Sequence, residues 1–65
     1  MLEIIDHGAI REIRLARPPA NALNPELTAA LGVALEEAGG AARAVVVSGR
    51  PGMFSAGLDV PELIE

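Results

Sequence analysis

The stretch from Asn24 to Ser48, "NPELTAALGVALEEAGGAARAVVVS", decides how the rest of the chain is read. Asn24 offers a side-chain acceptor to the free amides of a helix start. Pro25 suits the first helical position because its ring presets φ, and Glu26 places negative charge near the positive end of the helix dipole. Behind this start, Leu27, Leu31, Ala34, Leu35 and Ala38 recur at offsets that put them on one stripe, and Gly39-Gly40 stops the pattern. The spacing predicts a helix from Pro25 to Ala38. Ala44–Ser48, "AVVVS", is β-branched, uncharged and bounded by turn residues, which predicts a strand buried on both faces.

Towards the N-terminus, "LEIID" and "AIREIRLA" read as two short strands joined at His7-Gly8, where glycine can take positive φ. The second alternates, with Ile13 and Leu15 on one face and Glu12 and Arg14 on the other, so one face is wet. A strand, a helix and a strand in that order imply a parallel pair joined by a right-handed crossover, hence the α/β class. Between strand and helix lies "RPPANALNP", in which Pro18 and Pro19 lack amide protons. They predict an ordered loop running extended along the surface.

Towards the C-terminus, "GRPGMF" is a glycine and proline loop, and Pro61 in "VPELIE" marks another helix start. Between them sits "FSAGLD", residues 54–59, just past the carboxyl end of the apolar strand, where open α/β units bind ligands. A turn entering a helix there presents unpaired backbone N–H groups with the helix dipole behind them. The small side chains of Ser55, Ala56 and Gly57 let a ligand reach the main chain. Those are the requirements of an oxyanion hole.

Composition narrows the alternatives. At 65 residues the core is small, and with no cysteine neither disulfides nor thiolate metal sites reinforce it. An apolar content of 51% argues against disorder. Phe54 is the one aromatic and the net charge is −4, so neither base stacking nor a basic phosphate-binding face is on offer and no nucleic-acid partner is expected. Glu3 and Asp6 stand where a secretory signal needs basic residues. The apolar stretch Leu27–Leu35 is far short of the roughly 20 residues that cross a bilayer. No membrane association and a cytoplasmic location are the expectations.

"FSAGLD", preceded by an apolar strand and the Gly-x-x-Gly loop, resembles the signature of the enoyl-CoA hydratase/isomerase (crotonase) family, and "RPPANALNPEL" resembles that family's loop after its second strand. The pair "PPANAL" and "FSAGLD" is most similar to the branch containing the mitochondrial enoyl-CoA isomerases. The resemblance implies a crotonase-like ββα spiral unit, with residues 1–65 as the incomplete N-terminal part of a single domain. It also implies that the Leu58 N–H is one of two oxyanion donors to an acyl-CoA thioester during hydration or double-bond isomerisation. Ala56 and Gly57 would lie along the coenzyme A moiety, Ala20 and Asn21 along the adenine and pantetheine path, and Asp59 would tie down the turn beside it. Coenzyme A belongs to the substrate, so no separate cofactor or metal is implied. The family's second donor and its acid/base carboxylates come from later segments, which leaves these 65 residues inactive alone, and trimers are its habitual assembly.

Plainer readings stand beside these. Asp59 before Pro61 reads as a helix cap, His7 as a solvated turn residue with no acid placed beside it, and Glu36 and Glu37 as a wet helix face. Arg17, Arg43 and Arg50 read as surface arginines, with contact to coenzyme A phosphates as the alternative. A non-catalytic acyl-CoA-binding or interaction fragment is the rival from another class. Dehalogenation, decarboxylation or thioester hydrolysis are rivals within the family, because a fold does not fix chemistry.

Overall fold

The computed structural model describes residues 1–63; the "IE" that ends "VPELIE" lies outside the described residues. β1 (Leu2–His7) and β2 (Ile10–Leu15) form an antiparallel pair, turned by Gly8 at φ 64° and Ala9. The helix α1 (Pro25–Gly39) then leads into β3 (Ala44–Ser48), which pairs parallel to β2. The sheet order is β1-β2-β3, and one helical turn, α2 (Val60–Leu63), closes the described chain. The result is a small α/β unit with a mixed three-stranded sheet. Among the described residues no helix is long and apolar enough to cross a membrane.

α1 begins as the sequence dictates. Asn24 is the N-cap, its side-chain oxygen accepting from the Leu27 N–H at 2.8 Å, and Pro25 follows in the first turn. The helix lies against β1 and β2, where Leu27, Ala34 and Ala38 pack with Ile13 and Leu15 to form the buried core. The two alanines let the helix come close to the sheet. The apolar stripe is narrower than its spacing suggests, because Leu31 is half-buried and Leu35 lies exposed at its margin.

The expectation that β3 is buried on both faces is corrected. Val45 and Val46 are exposed, and Val47 and Ser48 are only half-buried. β3 is an edge strand here, and α1 covers the sheet over its other two strands. A β-branched uncharged run reports a strand's capacity for burial, while neighbours decide whether the burial happens.

The wet sheet face carries a polar cluster around Glu12. Its carboxylate accepts from Ser48 Oγ at 2.6 Å and from Arg14 Nη2 at 3.0 Å, while His7 Nε2 lies 2.7 Å from Oε1. His7 is thus exposed but partnered, contrary to the expectation of no acid beside it. The register explains why: Glu12 faces Ile5, and His7 sits two residues along on the same face, within diagonal reach. The Ser48 hydroxyl first, then His7 and Arg14, hold the Glu12 carboxyl down from 4.5 to about 2.

A carboxyl lowered in the folded state stabilises the fold fully above its unfolded value, and that contribution fades as pH falls towards the folded one. The urea midpoint should therefore drop as pH falls from 4.5 to about 2. Glu12→Gln should flatten that drop. An unchanged pH slope in the variant would show that Glu12 does not couple protonation to folding.

Candidate functional site

Two loops meet at the end of the sheet, and they are the two motif segments. The first, residues 17–24, turns where an extended run was expected. Asn21 takes φ 50°, a left-handed conformation that asparagine tolerates, and its N–H donates to the Arg17 carbonyl at 2.8 Å while its Oδ1 accepts from the Arg17 N–H at 2.8 Å. Prolines 18 and 19 suit this turn because it asks no amide proton of them. The buried Asn21 also binds the second loop: its Nδ2 donates to the Phe54 carbonyl at 3.0 Å, and its main-chain carbonyl accepts from Ser55 Oγ at 2.7 Å.

The second loop reaches this position by a tight reversal. Arg50 and Met53 exchange backbone hydrogen bonds at 3.1 and 3.0 Å around Gly52, whose φ is 80°. The chain then runs beside residues 20–23. The Ala56 N–H donates to the Ala20 carbonyl at 2.9 Å, and Leu23 and Leu58 form a parallel bridge in which the Leu23 N–H donates to the Gly57 carbonyl at 2.7 Å and the Asp59 N–H to the Leu23 carbonyl at 2.8 Å. The Gly57 N–H is taken by Ser55 Oγ at 3.0 Å. Gly57 has φ 95°, which a side chain would strain.

Of the amides of residues 56–59, three are thus engaged. The fourth, that of Leu58, has no acceptor among the described residues. Peptide planarity gives the reason: the Leu58 N–H shares a plane with the Gly57 carbonyl and points opposite to it, and that carbonyl faces Leu23. The donor is therefore directed away from the first loop. Leu58 is 65% exposed and Ala56 is exposed beside it, so the approach to this N–H is open. α2 starts directly after Asp59, so the turn does enter a helix, as the sequence leads one to expect.

The sequence-derived residues Ala20, Asn21, Ala56, Gly57, Leu58 and Asp59 are all brought together in this loop pair. Asn21 acts within it as a buried connector, and Asp59 caps α2, its Oδ1 accepting from the Glu62 N–H at 3.4 Å. Reading the sequence alone missed Arg17. Rather than a free surface group, it donates to Asp59 Oδ2 at 2.8 Å, to Glu62 Oε2 at 2.7 Å and to the Ala22 carbonyl at 2.9 Å. The hydrogen bond from Arg17 holds the Asp59 carboxyl below its usual range. No local pattern marks this, since the acids stand 42 and 45 residues away.

Two hollows flank the loops. An open basin of about 530 Å³ is lined by Glu12, Arg14, Gly49, Arg50 and Pro51, and a cleft of about 180 Å³ has Arg14, Pro18, Asn21 and Arg50 among its walls. Leu58 lines neither. The larger hollow is therefore not where the free amide lies, and the amide geometry is the better guide to chemistry.

A small α/β unit whose glycine turn directs one free amide outward is the scaffold the two motifs build. Residues 6–65 match the family described as enoyl-CoA hydratase/isomerase, and the chain belongs to that family. No curated protein matches the chain closely enough to add to this.

Proposed function

We propose that the chain is the N-terminal part of a crotonase-like ββα spiral domain that acts on acyl-CoA thioesters, with the Leu58 N–H as one of two donors to the thioester oxygen. When a proton leaves the carbon beside a thioester carbonyl, or water adds across the neighbouring double bond, negative charge gathers on that oxygen. A donor already aimed at it stabilises the enolate more than the ground state, which accelerates the reaction. The observation that carries this reading is that Leu58 alone in the run 56–59 has an amide with no acceptor among the described residues, held pointing outward by the bridge to Leu23.

Ala20, Asn21, Ala56, Gly57 and Asp59 would flank the coenzyme A moiety of the substrate, which needs no separate cofactor. Hydration and double-bond isomerisation both fit one stabilised enolate, and the pair "PPANAL" and "FSAGLD" favours the isomerase branch. The complete domain would supply the second donor and the carboxylate that moves the proton, assemble as a homotrimer and work in the cytoplasm. The 65 residues alone should show no turnover, because one donor without a base cannot both hold an enolate and move a proton.

The reading is tested by adding acetoacetyl-CoA, whose thioester enolises readily, to ¹⁵N-labelled chain and following the Leu58 amide resonance. A downfield Leu58 shift that free coenzyme A does not produce is the expected result. If the neighbouring loop amides move with acetoacetyl-CoA and Leu58 does not, the oxyanion reading is wrong.

A further inference from the structure

We propose that Arg17 is a positioning residue for the Leu58 amide, an inference that rests on the oxyanion reading of that amide. Its guanidinium straddles the Leu23–Leu58 bridge. Nη1 donates to the carbonyl of Ala22, which precedes one bridge partner, and to Oδ2 of Asp59, which follows the other. Nη2 donates to Oε2 of Glu62 in the single turn of α2. Glu62 in turn accepts from Nδ2 of Asn24, the N-cap of α1, at 3.2 Å.

One planar cation thus ties together both strands of the bridge and the starts of both helices. The arrangement is partly shielded, with the Arg17 side chain 24% exposed and that of Asp59 16% exposed. Charge-assisted hydrogen bonds in such surroundings are short and directional. The consequence for Leu58 is geometric. Its N–H direction follows from the Gly57–Leu58 peptide plane, which stays fixed only while the Gly57 carbonyl remains on the Leu23 N–H. Arg17 clamps that pairing from outside, through Ala22, Asp59 and Glu62, without a hydrogen bond to Leu58 itself.

Lysine cannot reproduce the clamp, because a single ammonium nitrogen replaces the two separated guanidinium nitrogens that serve Asp59 and Glu62. Dissociation constants for acetoacetyl-CoA and for free coenzyme A, measured on the whole chain and on Arg17→Lys, test the assignment. Loss of a positioned donor should weaken acetoacetyl-CoA binding about tenfold and leave coenzyme A binding within about twofold. A merely structural role would weaken both ligands together or neither, and either result overturns the proposal. Glu62→Gln, run in parallel, removes one ion pair and should lose thioester preference selectively and to a smaller degree. If circular dichroism shows Arg17→Lys unfolded, Glu62→Gln decides alone, and full retention of preference there overturns the proposal. Failure of the underlying reading is separately visible, as an unmodified chain that does not prefer acetoacetyl-CoA over coenzyme A.

Discussion

Leu58→Pro, made in the complete domain proposed above, is expected to lower turnover by on the order of 10²–10³, while Leu58→Ala stays within about tenfold of the parent. Proline removes the N–H without breaking a hydrogen bond of the described structure, because the Leu58 amide donates to no group among the described residues and the bridge to Leu23 runs through the Gly57 carbonyl and the Asp59 N–H. The usual objection to proline, loss of a structural hydrogen bond, is therefore weak at this position. Alanine keeps the donor and trims a residue that is 65% exposed, so little packing is lost. Turnover of an enoyl-CoA substrate by both variants, with circular dichroism to establish folding, is the measurement. Equal impairment of two folded variants would mean that the side chain matters as much as the amide, and the oxyanion assignment would fall.

Arg17→Lys should behave differently from both. It leaves the donor in place but loosens its direction, so thioester binding should fall by less than in the proline variant. The three substitutions separate presence of the donor, its surroundings and its aim. A site built from backbone depends on the groups that hold the backbone, and here those groups are Leu23, Ser55 and Arg17.

Local rules carried much of this fold. The cap at Asn24, the helix behind it, the alternation of β2 and the parallel pairing of β3 all follow from periods of two and 3.6 residues and from the chemistry of single positions. What stayed hidden depends on partners brought together by folding. His7 finds Glu12 through the strand register, Arg17 finds acids more than forty residues away, and Val46 is exposed because the sheet has an edge beside it. The position of the free amide was legible in "FSAGLD", but its cause was not. The bridge to Leu23, a partner 35 residues away that no local pattern marks, directs the Leu58 N–H outward just ahead of the helix start.

Gly49→Ala is expected to destabilise the chain by about 1–3 kcal/mol and to detach the second loop from the first. A Cβ at position 49 would lie 2.5 Å from the Met53 carbonyl oxygen, 2.6 Å from Phe54 Cα and 2.7 Å from the Phe54 carbonyl oxygen. These are backbone atoms and do not swing aside. Both oxygens are also engaged, that of Met53 by the Arg50 N–H and that of Phe54 by Asn21 Nδ2. Relief of the clash must therefore move the peptide that anchors the "FSAGLD" loop to Asn21, and the Ala56 and Leu23 hydrogen bonds follow it. For a domain of this size, whose whole stability is about 3–10 kcal/mol, such a loss is a large fraction. Gly52→Ala is the control, since its Cβ meets open space and only its φ of 80° is unfavourable, at about 1–2 kcal/mol. Urea midpoints and the hydrogen exchange of the Ala56 amide distinguish the two. Gly49→Ala should speed Ala56 exchange far more than Gly52→Ala does. Were Ala56 to remain equally protected in both, the close approach at Gly49 would not be what seats the loop, and the free Leu58 amide would owe its direction to the bridge and Arg17 alone.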